Sequence, residues 1–307
     1  MSIDTAKKTK IIVVGGPTAS GKSAFAVEIA RVFDGEVIGA DSMQVYRRMN
    51  IGTGKLSSEE MRGVPHKMID IVEPVQEYSV GAYVKDAKKE IENCFLRGKL
   101  PVVAGGTGLY INALLSGYSF SSVRRDENYR NELKQRVEEF GTQNLYEELR
   151  LTDPDSAAKI SPTDTKRIIR ALEIFKVSGE RKSEKTDVGE GEYDYLFFVP
   201  DIERAVLYKR IEDRADKMLR DGLIEEVKLL NLPRECQSMQ AIGYKETASF
   251  LEGEIDLKQL AELIKINTRH YAKRQITYFK NVFPSAVWAG ADEFDRVFMT
   301  IKEFLAE

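Results

Sequence analysis

The sequence predicts an α/β protein: a doubly wound parallel sheet with an inserted helical domain and C-terminal helices. Three observations predict it. Short apolar runs end in glycine-rich or acidic turns, helical stretches separate those runs, and from about Ser119 strand signals give way to charged helix formers. Strand, helix, strand, helix, strand in succession is the pattern of a parallel sheet covered by its own crossovers.

Each element has its own justification. Ile11 to Val14 is an apolar run bounded by Gly15-Gly16-Pro17 and reads as a buried strand. Across 22–33, Phe25, Val27, Ile29, Ala30 and Phe33 suit an amphipathic helix, with Gly35 as its expected end. Glu36 to Ala40 reads as a second strand stopping at Asp41-Ser42. A helix over 83–95 ends at Gly98, and the third strand, Pro101 to Ala104, closes in Gly105-Gly106. Helices are expected at 127–140, 143–150 and 163–177, then a polar glycine-containing loop at 179–194. Tyr195 to Val199 is a strand returning to the core, followed by helices at 203–219, 222–230, 240–252 and 256–281. The expected division is 1–118 for the first part of the core, 119–194 for the insertion and 195–307 for the return and the C-terminal helices.

The 307 residues carry 46 Lys and Arg against 49 Asp and Glu, a formal net charge of −3. That balance excludes collagen-like, disulfide-rich and wholly disordered classes. It also weighs against a nucleic-acid partner, although a net charge averages over the surface. Cys94 and Cys236 lie too far apart for a metal-ligand spacing and read as reduced thiols. The first residues form no secretory signal, and no apolar run reaches bilayer length, so a cytoplasmic protein is expected.

Gly16-Pro17-Thr18-Ala19-Ser20-Gly21-Lys22-Ser23 fits G-x-x-x-x-G-K-[ST], after a strand and opening a helix. In such a loop the glycines turn backbone N–H groups into a cradle, and the helix N-terminus adds partial positive charge. Lys22 supplies a full charge there, and the Ser23 hydroxyl is placed for Mg²⁺. A cradle of this kind serves kinases, ATP-binding NTPases and enzymes that expel diphosphate alike. Asp41 ends the second strand, and strand carboxyl ends face the ligand crevice of such sheets. It can cap a helix, ligate Mg²⁺ or act as a general base; position alone leaves these open. Thr107 follows the third strand, which ends without the acidic residue of a typical P-loop hydrolase. Asp41 is therefore the only acidic residue expected at a strand end near the cradle.

Together GPTASGKS (16–23), DSMQVY (41–46), IGTGK (51–55), HKMID (66–70), GGTGLY (105–110), TDTKRIIRALEIF (163–175), RIEDRADKML (210–219), GLIEEV (222–227), QAIGYKE (240–246) and TRHYAKRQITYFK (268–280) resemble the tRNA dimethylallyltransferase family. The likeness spans almost the whole chain in order. It implies a P-loop kinase-like core whose insertion grips the anticodon stem-loop. It also implies transfer of a dimethylallyl group from dimethylallyl diphosphate to N6 of the adenosine 3′ to the anticodon, with Mg²⁺ assisting. By the same resemblance Asp41 is the general base, Ser42, Met43 and Gln44 touch the target base, and Thr107 contacts tRNA. Residues Gly16 to Ser23 hold the diphosphate with Arg214, while Lys166, Arg167 and Arg170 contact tRNA from the insertion.

With that resemblance, the run 264–281 reads as an RNA contact rather than a solvated helix face. It holds Lys265, Arg269, Lys273, Arg274 and Lys280 and no acidic residue. Two other enzymes fit the cradle: an adenylate isopentenyltransferase and a P-loop small-molecule kinase. No heptad seam is visible, so a monomer is expected.

Overall fold

Six parallel strands form one sheet: β1 (Thr9–Gly15), β2 (Gly35–Gly39), β3 (His66–Lys67), β4 (Leu100–Gly105), β5 (Tyr193–Pro200) and β6 (Val287–Ala289). They lie side by side as β3-β2-β4-β1-β5-β6. Ile11 to Val14 at the centre are fully buried, as a strand covered on both faces requires. The computed structural model describes residues 8–117, 126–184, 189, 191–290 and 292–307. The chain divides into two units, Met1–Ser116 with Gly191–Glu307, and Gly117–Glu190.

In the first unit α1 (Lys22–Val32) and α13 (Phe294–Ala306) share a core with the sheet. Phe25 and Ile29 of α1 and Val297, Ile301 and Phe304 of α13 pack with Ile12, Val14 and Val102. The helix α3 (Val80–Leu96) packs on α4 (Gly108–Leu115) through the stacked rings of Tyr83 and Tyr110, 4.2 Å apart. A short α2 (Ser58–Met61) precedes β3. After β5 come α9 (Arg204–Arg220), α10 (Leu223–Leu230), α11 (Tyr244–Leu251) and α12 (Leu257–Val282). In the second unit α5 (Glu127–Phe140), α6 (Thr142–Thr152), α7 (Pro154–Lys159) and α8 (Thr165–Ser178) enclose Leu133, Leu145, Leu149, Ile168 and Leu172.

Several elements depart from the sequence reading. The left-handed residue after α1 is Asp34, at φ 50°, and Gly35 instead begins β2. Gly35 is needed there because a Cβ would sit 2.6 Å from the Leu100 carbonyl oxygen. Strands β3 and β6 span two and three residues, too few to show a period. Helix α13 closes the chain where no element was expected, and α7 adds a turn to the insertion. The returning strand starts at Tyr193, two residues before the expected one. The expected boundary at Ser119, and residues 185–188 and 190 of the polar stretch, lie outside the described residues.

Parallel register fixes where the loops emerge. Gly15 pairs with Gly105 and Gly39 with Ala104, so the turns after β1, β2 and β4 leave the same edge of the sheet. That edge carries the candidate site.

Candidate nucleotide and diphosphate site

The cradle begins at Gly16, with φ 146°, and closes at Gly21, the left-handed N-cap of α1. One of its N–H groups is already engaged: Thr18 N donates to Gln275 Oε1 at 2.8 Å, while Gln275 Nε2 donates to the Gly106 carbonyl at 2.8 Å. A buried amide on α12 therefore ties the phosphate loop to the turn after β4. Gly106 permits the approach, since a Cβ there would lie 2.5 Å from Gln275 Nε2.

Asp41 follows β2 and folds the next residues around itself. Its Oδ1 accepts from Met43 N at 2.9 Å and Gln44 N at 3.3 Å, an Asx turn that holds the carboxylate rigidly at the strand end. Thr107 steadies the same segment: its Oγ1 accepts from Ser42 N at 2.9 Å and donates to Ser42 Oγ at 3.2 Å. Backbone packs on backbone here, because a Cβ on Gly105 would fall 2.0 Å from the Ala40 oxygen.

Two cavities meet at this edge. One, of about 330 Å³, is lined by Thr18, Lys22, Ser23, Asp41 to Gln44, Arg214, Tyr271, Arg274 and Gln275, among others. The second, of about 720 Å³, shares Lys22, Ser23, Gly54, Arg214 and Met218 and adds Lys55, Asp70, Arg210 and Lys217. Lys22, Ser23 and Arg214 thus stand at the junction. Asp70, brought in by β3, is a second carboxylate near the cradle, which corrects the expectation that Asp41 is alone; it is paired with Lys55 at 2.6 Å.

The electrostatics follow from burial. Desolvation lowers the Lys22 ammonium to about 8, with Asp41 pulling it back up and Arg214 pushing it further down. Burial also lowers the Arg214 guanidinium, opposed by Asp41 and Glu60. Burial pushes the Tyr271 phenol up to about 12, reinforced by Asp41, while Thr107 and Gln275 act against the rise. Two half-buried, partly desolvated cations beside Asp41, with room for a ligand, suit a polyanion.

The structure brings Gly16 to Ser23, Asp41, Ser42, Met43, Gln44, Thr107 and Arg214 together, and Arg274 joins them with its guanidinium over the Tyr271 ring at 5.7 Å. Lys273 is exposed beside Arg274 on a separate surface hollow with His270. Lys280 instead lies over the Trp288 ring at 5.3 Å. The basic run is not uniform: Lys265 pairs with Asp216 at 2.8 Å and Arg269 with Glu212 at 2.8 Å, so two of its five cations are spent against α9.

In the insertion, Lys166 and Arg167 are exposed, Arg167 paired with Asp164 at 3.3 Å. Arg170 is drawn inward, with Nη1 2.5 Å from Oε2 of the fully buried Glu173. Arg130 and Asp126 N bind the same carboxylate. Burial alone would raise Glu173, but these bonds hold it down at about 2. Arg170 therefore has a structural bond that the sequence reading did not foresee.

Gln275, and the place of Tyr271 in the pocket wall, escaped that reading as well. Their signal was polar Thr268, Tyr271 and Gln275 inside the stripe Ile264, Thr268, Tyr271, Gln275, Phe279, whose ends are buried apolar residues. Cys94 is buried and Cys236 half-buried, and both are free thiols. Among the described residues no helix is long and apolar enough to cross a membrane.

Comparison with known proteins gives the family. The family model described as IPP transferase matches residues 44–282. The chain is 45% identical to a tRNA dimethylallyltransferase of Thermoanaerobacter sp. (strain X514), over 93% of each chain. It is 43% identical to the tRNA dimethylallyltransferase of Halalkalibacterium halodurans, over 97% of each. The crystal structure of the full-length tRNA isopentenylpyrophosphate transferase from Bacillus halodurans matches with a TM-score of 0.72 at 42% identity, covering 98% of this chain and 96% of that one. A eukaryotic dimethylallyltransferase, solved in crystallographic snapshots acting on tRNA, matches with a TM-score of 0.72 at 32% identity, covering 88% of this chain and 70% of that one. With a family model matched over 44–282 and relatives of this identity along almost the entire length, the chain belongs to the IPP transferase family of tRNA dimethylallyltransferases.

Proposed function

We propose that the protein transfers a dimethylallyl group from dimethylallyl diphosphate to N6 of the adenosine 3′ to the anticodon in tRNA. The observation that carries this is the single pocket in which Asp41 faces Lys22, Ser23 and Arg214. An exocyclic adenine amine is a poor nucleophile, so a carboxylate that takes its proton as the bond to carbon forms is needed. Asp41 Oδ1 is engaged in the Asx turn, which leaves Oδ2 to accept that proton. The N6–carbon bond forms, the carbon–oxygen bond to diphosphate breaks, and the electron pair leaves with the diphosphate. Lys22, Arg214 and the N–H groups of the cradle take up the developing charge.

Mg²⁺ fits the same junction. It favours one or two protein oxygen ligands with the remainder supplied by phosphate and water. The Ser23 hydroxyl is such an oxygen, and Asp41 lines the same cavity. When bound, Mg²⁺ would neutralise charge on the departing diphosphate.

On this reading Ser42, Met43 and Gln44 line the base side of the pocket, and Lys166, Arg167, Lys273, Arg274 and Lys280 are offered to tRNA phosphates. Arg170 joins them only with the part of its guanidinium not taken by Glu173. The protein acts as a cytoplasmic monomer. The decisive experiment is mass analysis of nucleosides from unmodified tRNA incubated with the protein and dimethylallyl diphosphate. A dimethylallyl mass on adenosine supports the reading. Prenylation of free AMP but not tRNA would make it an adenylate isopentenyltransferase; ATP-dependent phosphorylation without prenylation would make it a kinase.

A further inference from the structure

Glu226 lies on α10 and lines neither of the two cavities, yet it gathers four donors on one carboxylate. Oε2 accepts from Asn50 N and Ile51 N, each at 2.9 Å. Oε1 accepts from Ile51 N at 3.1 Å, Gly52 N at 3.3 Å and the Tyr244 hydroxyl at 2.5 Å. Three successive backbone N–H groups on one anion form a nest, which fixes the conformation of the loop that supplies them. The Tyr244 phenol is held far above its usual range by burial and by Glu226, so it stays a donor.

The other side of that loop faces the site. The Thr53 carbonyl accepts from Arg214 Nη2 at 3.2 Å and from Gln44 Nε2 at 3.2 Å, and the Gly54 carbonyl accepts from Gln44 Nε2 at 3.3 Å. The glycines make both approaches possible. A Cβ on Gly52 would lie 2.3 Å from the Tyr244 ring, and one on Gly54 would lie 2.0 Å from Arg214 Nη2. Glu226 therefore holds the N–H side of a loop whose C=O side holds Arg214.

We propose that Glu226 is a positioning residue for the diphosphate: acting through the loop 50–54, it fixes the place of the Arg214 guanidinium. This rests on the reading that Arg214 holds the diphosphate. Glu226→Gln keeps one acceptor oxygen but turns an NH₂ toward donors, so the nest loosens and Arg214 loses its seat. Inorganic diphosphate binding to the full chain is then measured calorimetrically for wild type, Glu226→Gln, Arg214→Ala and the double variant. Glu226→Gln is expected to weaken binding about tenfold. Because the effect passes through Arg214, the double variant should bind no more weakly than Arg214→Ala. In the prenylation assay the KM for dimethylallyl diphosphate should rise by more than that for tRNA, whose base-side residue Gln44 leans on the same loop, and hydrogen exchange at residues 50–52 should accelerate.

Additive losses, or wild-type affinity in Glu226→Gln, would overturn the proposal while leaving Arg214 in its role. Wild-type affinity in Arg214→Ala would instead overturn the role of Arg214 and the proposal with it. Glu226→Asp, which keeps the charge but shortens the reach, should fall between wild type and Glu226→Gln. It carries the same comparison if Glu226→Gln does not fold.

Discussion

Lys22 and Asp41 set the chemistry of the site as a pair of opposed charges. Lys22, lowered to about 8 by burial, is cationic below that pH and neutral above it. Diphosphate affinity should therefore be greatest below about 8 and fall by up to about tenfold per pH unit above it, since each proton lost removes the charge the ligand binds. Lys22→Arg stays charged throughout, so the ratio of its diphosphate affinity to that of wild type cancels the ligand's own ionisation; a ratio independent of pH would dismiss Lys22 as the titrating group. Stability of the free chain runs the other way: the buried charge is a cost below about 8 that is relieved as pH rises toward 10.5, the unperturbed value. For Asp41 the informative substitution is Asp41→Asn, which keeps an oxygen for the Asx turn and removes the base. The turnover rate should drop by a factor on the order of 10²–10⁴. Diphosphate binding should be unchanged or tighter, because an anion beside Lys22 and Arg214 has gone. Rapid-quench assays at saturating substrates read the first, calorimetry the second. Asp41 and the cradle were legible because turn residues and strand ends are local signals. Glu226 was not, since its donors lie 174 to 176 residues away at 50–52 and nothing in the sequence marks that pairing.

Among the elements, α12 carries the most load: it closes the pocket with Tyr271 and Gln275 and turns Lys273 to the surface. Its existence was readable from helical spacing, but its inward face was not. The outward basic positions drew attention, whereas the contact that fixes the helix joins Thr18 to Gln275 across 257 residues. By contrast α13 had a plain apolar stripe in Phe294, Val297, Phe298, Ile301 and Phe304 that the sequence reading passed over. The α12 clamp is testable through the glycine that admits it. In Gly106→Ala the new Cβ meets Gln275 Nε2 at 2.5 Å, so the amide must swing away from Thr18 N and the Gly106 carbonyl. A loss of about 1–3 kcal/mol in chemical denaturation is expected from such overpacking. Gln275→Ala removes the obstacle, so adding Gly106→Ala to it should cost little more. A full additional loss in the double variant would show that the strain lies elsewhere than in the clamp.

For the molecule as a whole, the net charge of −3 conceals how cations are spent. With the family resemblance, the whole run 264–281 reads as an RNA contact. The structure divides it: Lys265 and Arg269 face Asp216 and Glu212 of α9, while Arg274 is exposed at the rim of the pocket and Lys273 is exposed on the neighbouring surface hollow. An RNA phosphate gains little from a cation that must first leave a carboxylate, since only neutralised phosphates release counterions. The salt dependence of binding separates the two groups. In a plot of log Kd against log KCl for an unmodified anticodon stem-loop, Lys273→Ala with Arg274→Ala should reduce the slope by roughly 1 per side chain. Lys265→Ala with Arg269→Ala should leave the slope intact and lower thermal stability instead, because those pairs join α9 to α12. In the insertion Lys166 is the corresponding cation, with Arg167 contributing less because it is paired with Asp164. Arg170 is left unsubstituted because Glu173, fully buried, would lose a partner and the unit would be destabilised for reasons unrelated to RNA. A slope that changed with Lys265 and Arg269 but not with Lys273 and Arg274 would reverse the assignment and place the RNA on the α9 side of the helix.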